Sequence, residues 1–294
     1  RRSRELAFAE ESIFACQSNR CKHFIVFARW SPGRHGVVSR FVSPIIALSD
    51  RGLVRAVLAS VINIRLQDQR RMTKLVSARG LVRCHGETTL LDGVSFEIEA
   101  GERISVVGPT GSGKSLLLRS IAKLEPIDSG QVLWKEQPVD DSDATRFRST
   151  VVYVHQRPGA FEGTVESVLR RPFQLKIHRD KRFDREWCVE RLIEIGRDES
   201  FLGRSHLSLS GGESQIVALL RAISTSPKVL LLDEPTSALD QESSRLIERI
   251  VDRWYQDDPN GHAYVWVSHD RPQADRVGDR VCHMREGRFV SDAG

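Results

Sequence analysis

The sequence predicts an α/β fold with a mixed β-sheet core, and three patterns carry that reading. ERISVVG at 102–108 is a short buried strand running straight into GPTGSGKS at 108–115, with a helical stretch directly after it. VLLLDE at 229–234 and AYVWVS at 263–268 are continuous apolar runs, the pattern of parallel strands covered on both faces. KLVSARGLV at 74–82 and VSFEIE at 94–99 alternate instead, predicting two antiparallel strands ahead of the glycine-rich loop.

In chain order, the first functional element is that loop. GPTGSGKS fits G-x-x-x-x-G-K-[ST], in which glycines let successive backbone N–H groups curl around phosphates. Gly108, Gly111 and Gly113 permit the backbone approach, Lys114 is expected at the terminal phosphates, and Ser115 is expected to ligate Mg²⁺. The nucleotide-binding stretch reads Gly108, Pro109, Thr110, Gly111, Ser112, Gly113, Lys114, Ser115 and Leu116. The helix from Gly113 to about Lys123 turns its N-terminus, and so its dipole, toward the phosphates. VVYV at 151–154 is a strand followed by Gln156. Residues 164–200 read as helices, the first with Thr164 as N-cap and a later one in FDREWCVERLIEIG.

VLLLDEP ends in two carboxylates. In isolation such a pair is more often a solvated turn, but here four apolar strand residues place it at a strand tip. Asp233 is expected to bind Mg²⁺ and Glu234 to act as general base on an attacking water. LSGGE at 209–213 precedes a helix, so Ser210, Gly211 and Gly212 form a second anion site at a helix N-terminus. One phosphate loop cannot use both sites on the same nucleotide.

In this order, with SALD at 237–240 and His269 after AYVWVS, the motifs resemble the nucleotide-binding subunits of ABC transporters from about residue 74 to about 290. The resemblance implies a P-loop NTPase of ABC ATPase type, with an antiparallel β subdomain and a helical subdomain at about 157–210. It implies that Gln156 contacts Mg²⁺ and water and senses a membrane partner. It further implies that His269 holds the γ-phosphate. Two subunits would pair head to tail, most simply as a homodimer, each signature closing over the ATP of the other, with Asp240 across the interface. The stretch Arg157 to Arg170 would lie in the groove that receives a helix of the transmembrane permease subunit. In the family an aromatic residue stacks on adenine about 23 residues before the loop; His85 stands there, so the preference for adenine comes from the resemblance and not from this site. Overall similarity looks closest to iron-exporter ATPases, with phosphate- and amino-acid-importer subunits near competitors.

Composition separates the chain's two ends. Hydrophobic residues make up 40% of the 294, ample for a packed core. The net charge of +5 is unevenly spread: residues 1–71 carry 13 Lys/Arg against 5 Asp/Glu, and residues 72–294 carry 31 against 34. The later part is therefore near neutral, and no nucleic-acid footprint is expected on it. No uncharged apolar run reaches the roughly 18 residues that span a bilayer, so transport would need a separate membrane subunit. Five cysteines without C-x-x-C spacing suggest neither a disulfide framework nor a zinc site and fit a reducing cytosol. The expected location is cytoplasmic, peripheral on the inner face of the membrane.

Residues 1–71 lack periodic patterning and methionine, and Met72 opens a stretch that looks like a domain start. They are expected to be a non-native or disordered leader; a lipid-touching basic extension or a targeting peptide is the rival. A chain beginning at Met72 would hold every motif. The function expected is ATP hydrolysis that energises a transporter. The alternative is a soluble ABC ATPase in a complex acting on DNA, ribosomes or cofactor assembly, a class that coiled-coil insertions, zinc cysteines or a second ATPase domain would favour.

Overall fold

In the computed structural model the chain divides into two units, Arg1–Arg71 and Met72–Gly294. The structure describes residues 73–290 together with two short strands in the first unit, β1 (Ile13–Ala15) and β2 (Val26–Ala28), which pair antiparallel. The expectations for the remainder of residues 1–71 lie outside the described residues.

The second unit contains two sheets. β3 (Lys74–His85) and β4 (Thr88–Glu99) pair antiparallel, and with β6 (Ser129–Trp134) and β7 (Gln137–Pro138) they form a four-stranded sheet in the order β4-β3-β6-β7. β5 (Arg103–Val107), β8 (Val151–Val154), β9 (Val229–Asp233), β10 (Ala263–Ser268), β11 (Arg280–Arg285) and β12 (Arg288–Val290) form the second sheet, in the order β12-β11-β5-β10-β9-β8. Its pairings are parallel except that of β12 with β11.

The apolar runs are continuous because both faces of this sheet are covered. Leu230, Leu232, Tyr264 and Trp266 join one core cluster, while Val229, Leu231, Val265 and Val267 join another on the opposite face. Side chains alternate along a strand, so burying both sets requires an unbroken apolar sequence. Each fully buried Leu or Val contributes roughly 1.5–3 kcal/mol by its removal from water. One face is covered by α5 (Gly211–Ile223) and α6 (Gln241–Asp257), the other by α1 (Lys114–Ile121) and the antiparallel sheet. The α6 residues Leu246, Ile247, Ile250, Val251 and Trp254 are buried at helical spacing, giving it one apolar stripe.

Two helices form in the stretch expected to be helical, 164–200. Thr164 does cap α3 (Val165–Arg170), accepting from Ser167 N at 3.2 Å, and Asp184 caps α4 (Arg185–Glu194). Between them the chain makes 3-10 turns at Arg171–Gln174 and Lys176–His178. Pro172 has no N–H to donate and its ring crowds the preceding turn, so α3 stops before it. The strands β6, β7, β11 and β12 and the helices α2 (Ala144–Thr150) and α7 (Arg271–Val277) carry no periodic signal strong enough to be read in advance. Among the described residues no helix is long and apolar enough to cross a membrane. Cys84, Cys188 and Cys282 are free thiols.

Candidate active site

Parallel register places the strand tips in one row. Val107 lies opposite Ser268, Val267 opposite Asp233, and Leu232 opposite Val154. The residues just beyond these tips are the glycine loop, His269, Glu234 and His155-Gln156. Ligands of parallel α/β sheets bind beyond this carboxyl edge.

The loop is held from behind by the β11–β12 hairpin. Gly287 N donates to Ser112 O at 3.0 Å. A Cβ on Gly108 would sit 2.1 Å from the Met284 carbonyl oxygen, so any side chain there would displace backbone. Gly113 has φ 101°, a left-handed conformation that L side chains rarely adopt, and from it the chain enters α1. The Lys114 ammonium is buried, donating to the carbonyls of Gly108 at 2.8 Å and Pro109 at 2.9 Å. It is thus folded over the loop, where phosphates entering the cradle would meet it.

Ser115 and Asp233 meet although they are far apart in sequence: Ser115 Oγ donates to Asp233 Oδ1 at 2.8 Å. A hydroxyl and a carboxylate side by side at the mouth of a phosphate loop are hard oxygen donors that fit Mg²⁺, which is commonly held by one or two such groups plus substrate phosphates. Among the described residues no cluster of three or more His, Cys, Asp or Glu forms a metal site.

Glu234 stands at the centre of the predicted catalytic set. Its φ of 44° is left-handed, a cost of roughly 1–3 kcal/mol for a residue other than glycine. The chain turns sharply there, directly after the strand tip. Gln156 Nε2 donates to its Oε2 at 3.0 Å, His269 Nδ1 lies 3.8 Å from the same oxygen, and Lys114 Nζ lies 3.9 Å from Oε1. Gln156 also donates to Ser237 Oγ at 3.0 Å. Glu234 and His269 share the wall of a cavity of about 500 Å³ with Ser237 and Gln273. A second cavity of the same volume, lined by Arg103, Arg245 and Trp266 among others, contains none of the predicted site residues.

The remaining predicted residues lie apart from this cluster. Ser210 caps α5 in a capping box: its Oγ accepts from Glu213 N at 3.2 Å while Glu213 Oε2 accepts from Ser210 N at 3.0 Å. Arg204 binds the Glu213 carboxylate at 2.7 and 3.2 Å, and together with the backbone bond it holds that carboxyl below its usual range despite partial burial. Asp240 caps α6 through Ser243, accepting from its N and its Oγ at 2.8 Å. That same Ser243 hydroxyl would lie 2.8 Å from a Cβ on Gly212, so the signature and the Asp240 cap pack against each other within one chain. His85 is exposed at the end of β3, opposite Thr88 across the β3–β4 turn. Farther along β4, the Leu90 carbonyl oxygen would lie 3.0 Å from a Cβ on Gly113.

Phe161 departs from the exposed position its neighbours suggest. Arg157 and Glu162 are exposed, but the Phe161 ring is half-buried between the Arg171 and Arg221 guanidiniums, at 4.8 and 4.6 Å, with the His206 ring edge-on. Cation–π attraction favours this stacking over exposure of the ring. Two site residues escaped the sequence reading. Tyr153 donates to Asp233 Oδ2 at 2.6 Å, and Gln273, buried, bonds Thr236, Ser268 and Glu248 between the segments bearing Glu234 and His269. An aromatic in the strand before Gln156 was the available signal for Tyr153; nothing local marks Gln273.

The ABC transporter family model matches residues 91–237. The sulfate/thiosulfate import ATP-binding protein CysA of Caulobacter vibrioides is 37% identical over 217 residues, covering 73% of this chain and 63% of that protein. The chain therefore spans under two thirds of that relative's length. The Escherichia coli protein named Probable iron export ATP-binding protein FetA is 33% identical over 210 residues, 69% of this chain and 91% of that protein. An ATP-binding cassette solved as a dimer in a post-hydrolysis state with ADP and Pi is 28% identical with a TM-score of 0.62, covering 74% of this chain and 97% of that one. Identity that spans nearly the full length of a relative goes well beyond a shared glycine loop: the chain belongs to the ABC transporter family, among its ATP-binding subunits.

Proposed function

We propose that the chain binds and hydrolyses ATP with Mg²⁺ and so energises a membrane transporter. The observation that carries this is the convergence of Gln156, His269 and Lys114 on Glu234, beside the Ser115–Asp233 pair, at the mouth of the glycine loop. Mg²⁺ would be held by Ser115 and Asp233, with Gln156 near it, and would supply charge neutralisation at the phosphates. Lys114 and the loop N–H groups bind and orient the phosphates. Glu234 Oε2 takes the proton of the attacking water, which Gln156 and His269 orient through the same oxygen. Phosphate release from the purified protein tests this, alone and with its membrane partner; no Mg²⁺-dependent release in either state would sink it.

The working unit in this reading is a head-to-tail dimer, most simply of two identical chains, with two ATPs at the interface. The signature Ser210–Gly212 opens α5 and does not touch the phosphate loop of its own chain, so the helix N-terminus it begins is placed to meet the nucleotide of a partner. The subunit would sit at the cytoplasmic face, docked on a permease. Relatives named for import and for export match the same domain, which fits cargo and direction being set by the membrane subunit.

Docking is assigned to Arg157–Arg170 and the cavity of about 200 Å³ beside it, lined by Pro158, Pro172, His178 and Arg221. Glu162→Arg should reduce co-purification with the permease by about tenfold, the effect of roughly 1.4 kcal/mol, while basal ATPase activity stays within about twofold. Loss of basal activity with coupling retained would reverse the assignment.

His85 is proposed at the adenine. Imidazole offers less stacking area than phenol, so His85→Tyr should tighten ATP by up to about 1 kcal/mol. A calorimetric titration showing no gain would place the base elsewhere.

A further inference from the structure

Asp233 has two carboxylate oxygens, and each is met by a different hydroxyl. Ser115 Oγ lies 2.8 Å from Oδ1 and Tyr153 Oη lies 2.6 Å from Oδ2. The two donors reach Asp233 from different elements. Ser115 belongs to the phosphate loop and α1, whereas Tyr153 is on β8, paired with Leu231 of β9, three residues before Gln156. Asp233 itself is 4% exposed, so solvent contributes little to holding the carboxylate in place. A buried carboxylate bonded at both oxygens is fixed in the plane those bonds define.

We propose that Tyr153 is a positioning residue for the magnesium site: its hydroxyl clamps Asp233 Oδ2 so that Oδ1 remains beside the Ser115 hydroxyl, keeping that pair of oxygens available to the metal. The inference rests on the ATP and Mg²⁺ reading above. The ring is placed to do this by its surroundings. It packs against the core cluster that contains Leu231 and α1, and the His155 ring meets it edge-on at 4.6 Å. The hydroxyl is not needed to join β8 to β9, because the backbone ladder from Val151–Val229 to Val154–Leu232 already does so.

Tyr153→Phe keeps the ring and removes only the donor. The half-saturating Mg²⁺ concentration for binding a non-hydrolysable ATP analogue should rise by roughly tenfold, about 1.4 kcal/mol. Analogue affinity in EDTA should be unchanged, and hydrolysis should recover as Mg²⁺ is raised. If the native protein shows Mg²⁺-dependent binding and the variant has the same half-saturation, the inference fails while the ATPase reading stands. If affinity in EDTA falls as much as metal affinity, Tyr153 is only structural and the inference fails as well. A native protein whose nucleotide binding ignores Mg²⁺ overturns both.

Discussion

Glu234→Gln should bind ATP at least as tightly as the native protein and turn it over more slowly by roughly 10²-fold or more, the scale that a positioned base supplies. The substitution preserves shape. Gln156 can still donate to an amide oxygen at this position, and the left-handed backbone at residue 234 is asked of glutamine as it was of glutamate. The charge is what changes. A carboxylate 3.9 Å from Lys114 competes with phosphates for that ammonium, so removing it does not weaken the anion site. With binding intact and water no longer deprotonated, the protein should accumulate as an ATP-bound dimer. Single-turnover phosphate release and light scattering with Mg²⁺ATP check the two halves. Hydrolysis at the native rate would remove Glu234 from the role of base.

Lys114→Ala should fail earlier, at binding. An ammonium about 4 Å from a phosphate charge contributes roughly 4 kcal/mol at an effective dielectric constant of 20. Part of this is offset, because the same ammonium is already satisfied by the Gly108 and Pro109 carbonyls and lies near Glu234. A net loss of on the order of 10²-fold in ATP affinity follows, read by calorimetry or nucleotide fluorescence. Truncation also strips those two carbonyls of their donor, so the melting temperature without nucleotide must be measured alongside. A variant with native ATP affinity would mean that the loop N–H groups and the helix dipole hold the phosphates without the lysine.

The difference between these variants reflects what each residue meets. As the proposed base, Glu234 would take part only when water attacks the phosphate, so its loss should leave the bound state standing. In the same reading Lys114 would act on the phosphates from the moment they enter the loop.

The elements legible in the sequence are those whose signal is local. GPTGSGKS is legible because left-handed glycines and a lysine at fixed spacing are required by the loop itself, and Gly111 and Gly113 do adopt positive φ. VLLLDE and AYVWVS are legible because a strand buried on both faces is apolar along most of its length. Thr164 could be read as a cap because a cap bonds its own next turn. Tertiary structure alone decided the rest. SGQVLW became β6 because β3 lies beside it. Phe161 turned inward because Arg171 and Arg221, distant in sequence, converge on its ring. The meeting of Ser115, Tyr153 and Asp233, and of Gln156, His269 and Lys114 around Glu234, depends on the register of four parallel strands. Which strands are neighbours is settled by packing between residues far apart in the chain, and no local pattern encodes it. The sequence by itself therefore determined which residues could handle phosphate, while the sheet order decided which of them stand within reach of one another.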